Sequence, residues 1–133
     1  MGLIPDLLAK EGAAVITGPI LGDRSKPELA NMTPETPALL TMAGVKVAIC
    51  TDHPEVPIQH LALCAGMAVK GGMLPEAALA AITRWPAEIA GLDGRLGTLT
   101  PGKDADLVVT SGHPLDWASR VSLVLIDGKR VSG

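Results

Sequence analysis

Phenylalanine and tyrosine are absent from this chain, and tryptophan occurs only at Trp85 and Trp117. Proteins that bind single-stranded nucleic acid stack bases on rows of aromatic faces, and two isolated indoles cannot supply such a row. Positive charge is also short. The sequence carries 11 Lys and Arg against 14 Asp and Glu, a formal net charge of −3, so no basic stripe is available to neutralise phosphates. No nucleic-acid partner is expected. Cysteine is reduced to Cys50 and Cys64, each in an apolar stretch and neither in a Cys-x-x-Cys pair. That excludes a disulfide framework and points to a reducing, cytoplasmic home. The stretch from Met1 to Lys10 has no basic start followed by a long apolar run, and nowhere do about 18 uncharged apolar residues follow one another. Neither a signal peptide nor a membrane partner is expected.

What the chain does have is aliphatic. Apolar residues make up 47% of its 133 positions, nearly all of them Ala, Val, Leu and Ile, which suffices for the core of one modest domain. The organising stretch runs from Val45 to Pro54, Val-Lys-Val-Ala-Ile-Cys-Thr-Asp-His-Pro. A β-branched run that stops at an acid, an imidazole and a proline reads as a buried parallel strand, Lys46 to Thr51, presenting chemistry at its C-terminal end. Asp52 is the first candidate there, although an aspartate in such a place can also be no more than a helix N-cap.

Glycine and proline punctuate the rest. A helix ends at Lys10 before Gly12, a strand covers Ala13 to Thr17, and a loop from Ile20 to Asn31 carries Arg24, Ser25 and Lys26 at the end where Asp52 emerges. Thr33-Pro34-Glu35 predicts a helix opening that runs to about Ala43. Ile58, Leu61, Ala62, Ala65, Ala68 and Val69 form a helical stripe that Gly71-Gly72 breaks. Leu74-Pro75-Glu76 opens a further helix, Trp85-Pro86 is expected to stop it, and Ala87 to Ala90 to add one turn. Strand, helix, strand in this order implies a parallel pair. From Gly94 the composition changes to turns and strands, Leu107–Thr110 and Val121–Ile126, then Asp127-Gly128 as a two-residue turn into Lys129–Val131. The predicted division is 1–93 and 94–133. Three short strands bury too little alone and should join a sheet supplied from elsewhere.

Thr51-Asp52-His53-Pro54, the segment from Ala81 to Leu92 (Ala-Ile-Thr-Arg-Trp-Pro-Ala-Glu-Ile-Ala-Gly-Leu), and the segment from Gly97 to Val109 with its Gly102-Lys103-Asp104-Ala105-Asp106 run together resemble the C-terminal part of metal-dependent amidohydrolases. The tail from Val124 to Val131 is similar to the way those chains finish, imidazolonepropionase-like members especially. The resemblance implies an α/β fold: the last two strand–helix units of a (β/α)8 barrel, followed by a small β-sandwich segment. Ala13 to Thr17 would be the seventh barrel strand and Lys46 to Thr51 the eighth. Asp52 then falls on the eighth-strand aspartate, a catalytic residue that ligands the metal and takes a proton from the attacking water. A carboxylate suits both tasks, being a hard oxygen donor and a base. The implied cofactor of the complete enzyme is a divalent metal, zinc in particular. Its substrate would be a small molecule with an amide or cyclic-amide C–N bond.

His53 is a hydrogen-bonding partner of that site or, since side chains alternate along a strand, a structural residue facing away from Asp52. Structural roles are expected for His60, His113, Lys103, Asp104 and Asp106, the carboxylates accepting backbone hydrogen bonds. Cys50 and Cys64 are expected to be packing residues. One departure from the family is decisive for the isolated chain. The family's His-x-His pair is missing, and His53, His60 and His113 all lie at or after the eighth-strand motif. A zinc site needs about four converging donors. Two expectations follow: a piece of an amidohydrolase whose partner is the missing N-terminal portion, or a non-catalytic α/β remnant that self-associates as a homo-oligomer. Neither the metal nor activity is expected of the chain alone.

Overall fold

Leu3–Lys10 form helix α1, which Gly12 ends at a φ of +63°, and Ala14–Thr17 form strand β1. This computed structural model describes residues 3–24 and 26–132, so Met1, Gly2, Ser25 and Gly133 lie outside the described residues. Helix α2 covers Thr36–Met42 and strand β2 Lys46–Ile49. β1 and β2 pair in parallel, from Ala14 opposite Lys46 to Thr17 opposite Ile49, as the strand–helix–strand order predicts. Both α2 and β2 are shorter than expected. Thr33 to Glu35 form a turn, closed by the Thr36 amide on the Thr33 carbonyl at 3.2 Å, and Pro37 occupies the first turn of α2, where its missing N–H costs nothing.

The core lies where β2 meets the helices. Val47 and Ile49 pack with Ala38 and Leu40 of α2 and with Cys64, Ala65 and Ala68 of α3, which covers Leu61–Lys70. Ala48, on the opposite face of β2, is also only 3% exposed. The strand is therefore buried on both sides, as parallel strands are. Ile58, expected on the apolar stripe of α3, is 65% exposed. The reason is a 3-10 turn over Ile58–His60, whose tighter winding takes it out of phase with the helix that follows.

Helix α4 covers Pro75–Ala80 and α5 covers Arg84–Ile89. Trp85-Pro86 therefore opens a helix instead of stopping one. Proline is tolerated there because first-turn amides have no acceptor within the helix. Just past α4, the Ala81 carbonyl accepts the Ile49 amide at 2.9 Å, on the side of β2 away from β1.

The remaining strands, β3 (Leu107–Thr110), β4 (Val121–Ile126) and β5 (Lys129–Ser132), make a separate antiparallel sheet in the order β3-β4-β5. Asp127 and Gly128 both take positive φ, 51° and 72°, as a two-residue hairpin turn with the right twist requires. The Gly102 to Asp106 run braces this sheet. Lys103 Nζ donates to the carbonyls of Asp93 and Leu96, Asp104 pairs with Arg95 at 2.6 Å, and Asp106 Oδ1 accepts the Asp127 amide at 2.8 Å. The Gly128 amide closes the brace on the Ala105 carbonyl at 3.0 Å. Asp106 thus accepts a backbone hydrogen bond, as expected of both carboxylates, whereas Asp104 is taken by the Arg95 side chain. Leu115, in the loop between β3 and β4, packs against the main core. The whole is a mixed α/β fold with a small antiparallel sheet.

Two stability changes follow. Val47→Ala removes fully buried methyl groups and should lower unfolding free energy by about 2 kcal/mol in a urea titration. Asp106→Ala should cost about 1 kcal/mol and speed hydrogen exchange at the Asp127 amide, leaving the β1–β2 pair untouched.

Candidate functional site

Parallel pairing brings the C-terminal ends of β1 and β2 to one edge, and the Cys50 amide extends the ladder by donating to the Thr17 carbonyl at 2.9 Å. The two chains then leave side by side. A Cβ on Gly18 would lie 2.1 Å from the Cys50 carbonyl oxygen, so only glycine allows the exits to touch. The peptide bonds Gly18-Pro19 and His53-Pro54 are cis.

Beyond Cys50 the chain makes a closed turn. Thr51 is buried, a polar residue in the core, and Asp52 is exposed in the left-handed region at a φ of +52°. The Glu55 amide donates to the Asp52 carbonyl at 2.9 Å and the Val56 amide to the Thr51 carbonyl at 3.2 Å. Val56 is buried and plugs the turn onto the core. Asp52 is not a helix N-cap, because the next helical turn starts after Pro57. Among the described residues its side chain meets no hydrogen-bond or ion-pair partner.

His53 follows directly, and its Nδ1 accepts the Ile58 amide at 3.3 Å. The alternation that would turn it away from Asp52 does not apply, since β2 ends at Ile49 and not at Thr51. His60 is exposed at the end of the 3-10 turn, and His113 Nδ1 accepts the Leu115 amide at 3.2 Å within its own turn. Cys64 is buried, and that burial pushes its thiol pKa up, against the opposing effect of backbone hydrogen bonds from Ile20 and Leu21. Cys50 is half-buried beyond the end of β2.

The loop after β1 folds back on itself, with Arg24 Nε donating to the Met32 carbonyl at 3.1 Å. Between this loop and α2 lies a cavity of about 290 Å³, whose polar lining includes Thr17, Glu28, Asn31, Thr33 and Thr36. Asp52 does not line it. Among the described residues no three His, Cys, Asp or Glu side chains come together to hold a metal ion. The structure thus sets Asp52 and His53 on one turn and leaves His60, His113 and Asp106 elsewhere. The sequence reading missed the burial of Thr51 and the Ile58 amide on His53. A signal for the second was present: Pro57 has no side-chain acceptor to cap the next amide, which leaves that donor open to water or to a side chain upstream.

The model described as Amidohydrolase family matches residues 7–131. Amidohydrolase tasK of Hapsidospora irregularis is 35% identical over 96 residues, covering 72% of this chain and 10% of its own length. The imidazolonepropionase of Acidiphilium cryptum (strain JF-5) is 33% identical over 116 residues, 82% of this chain and 27% of its own. Among solved structures, an amidohydrolase from Thermotoga maritima MSB8 superposes with a TM-score of 0.93 at 44% identity, over 97% of this chain and 34% of that one. An adenosine deaminase from Xanthomonas campestris with bound zinc shares the fold at a TM-score of 0.70 and 24% identity, over 98% of this chain and 34% of that one. The chain therefore spans a tenth to about a third of the length of these relatives. No helix among the described residues is long and apolar enough to cross a membrane. With a family match running from α1 into β5, this chain belongs to the amidohydrolase family.

Proposed function

We propose that this chain is the C-terminal part of a metal-dependent amidohydrolase that hydrolyses amide or cyclic-amide C–N bonds of a small molecule. Residues 1–93 are the last two strand–helix units of its (β/α)8 barrel and residues 94–133 a segment of its β-sandwich. The observation that carries this reading is the turn after β2. Asp52, whose carboxylate has no partner among the described residues, stands beyond the C-terminal end of a strand buried on both faces, beside the exit of a parallel neighbour. In barrel enzymes that end of the strands is where catalytic groups gather. Asp52 is the metal ligand and the general base of the complete enzyme, and zinc is the metal we favour, as in the zinc-bound neighbour of the same fold.

The residues present do not by themselves fit a metal site. One carboxylate, without two further donors beside it among the described residues, falls short of the roughly four that zinc requires. No catalytic step is therefore assigned to the isolated chain. Its partner in this reading is the N-terminal portion, which supplies the other ligands and strands. Two free cysteines suit a cytoplasmic location.

A second reading, a non-catalytic module that forms homo-oligomers, is favoured by exposed apolar residues on the small sheet, Val108, Ile126 and Val131. The two readings separate experimentally. The first expects less than stoichiometric zinc in the purified chain, and stoichiometric zinc with C–N hydrolysis once the complementary two-thirds of a close relative is supplied. In that assembly Asp52→Asn should cost about 10²–10⁴-fold in kcat. An assembly that folds without zinc or activity would contradict it. Sedimentation of the chain alone at micromolar concentration should show self-association under the second reading. A well-folded monomer would remove the homo-oligomer.

A further inference from the structure

We propose that His53 is the positioning residue of the Asp52 turn, through one hydrogen bond: its Nδ1 accepts the Ile58 amide and so ties the start of the helical segment to the residue next to Asp52. The inference rests on the reading of Asp52 given above for its consequence in catalysis, but not for its geometry. Asp52 sits at a φ of +52°, a conformation that a residue with a Cβ adopts at a cost. Such a backbone persists only where its surroundings hold it. Two backbone bonds close the near side of the turn, from Glu55 to Asp52 and from Val56 to Thr51. They do not join the turn to the 3-10 segment at Ile58–His60, which is closed on its far side by the His60 amide on the Pro57 carbonyl at 2.9 Å.

The first amides of a helical segment have no acceptor within it. Pro57, at the cap position, has no side-chain acceptor to offer, so the orphan donor of Ile58 is met by His53, five residues back. This bond spans Pro54 and Pro57 and closes a second ring over the first. A neutral imidazole has one donor and one acceptor nitrogen. Accepting at Nδ1 places the proton on Nε2, so the bond also fixes the tautomer. His113 makes the same kind of bond to Leu115, two residues on, within one turn of the tail. His53 differs in that its bond joins the end of β2 to the start of the segment leading into α3.

The test uses the intact chain, labelled with nitrogen-15. Expected for the native protein are the Nε2-protonated tautomer of His53 and a strong intraresidue amide-to-Hα contact at Asp52, the mark of its positive φ. Loss of one hydrogen bond in His53→Ala should speed exchange of the Ile58 amide about fivefold and weaken that Asp52 signal. His53→Asn, whose Oδ1 can stand where Nδ1 does, should restore both. His53→Ala with an unchanged Ile58 amide and an unchanged Asp52 signal would overturn the proposal, as would the Nδ1-protonated tautomer. In the enzyme assembled with its complementary portion, His53→Ala should lower kcat about fivefold with KM nearly constant, and His53→Asn should recover it. If the spectra change as expected while even the native assembly is inactive, the proposed function fails and the hold of His53 on the turn stands.

Discussion

The parallel ladder between β1 and β2, carried one step further by the Cys50 amide on the Thr17 carbonyl, is the contact on which the rest of the arrangement depends. It sets the two strand exits side by side, and the near-contact of Gly18 with the Cys50 carbonyl leaves no freedom between them. The turn that displays Asp52 begins at that point. Its far side is anchored by Val56 in the core and by His53 on the Ile58 amide. Ala65 and Ala68 of α3 pack with Val47 and Ile49 of β2, α5 lies against the same strand, and the Ala81 carbonyl takes the Ile49 amide on the side that β1 does not use.

Much of this was legible in the amino-acid sequence, for physical reasons. The β-branched run ending at Asp52, the alanine-rich stripe around Ala65 and Ala68, and Asp127-Gly128 are local signals whose geometry follows from sterics. The errors occurred where one residue type serves two geometries. Proline reads as a stop at Trp85-Pro86, yet in a first helical turn it is an opening, and only the position of the preceding elements decides between the two. Ile58 carries the right side chain for the stripe and the wrong winding. The candidate acid was found from the end of its strand. The bond from His53 to the Ile58 amide was not, because it depends on a turn after Ile49 that cancels the alternation expected of a longer strand.

The Gly102 to Asp106 run shows how a charged cluster can be wholly structural. Each of its ionised residues meets a specific partner, Lys103 the Asp93 and Leu96 carbonyls in the turns after α5, Asp104 the Arg95 guanidinium, and Asp106 the hairpin amide of Asp127. Such a brace specifies one approach of the small sheet to the helices before it. Apolar residues of the small sheet, Val108 and Ile126 among them, and Ile16 of β1 face solvent.

In the function proposed above, the β1–β2 pair is the edge of a larger sheet whose remaining strands complete the Asp52 site. Hydrogen exchange at the amides of β1 that face away from β2, measured with and without the complementary portion, tests it most directly. Fast exchange in the chain alone and strong protection on assembly are expected. Amides already protected in the chain alone, or still open in an assembly that hydrolyses substrate, would contradict it.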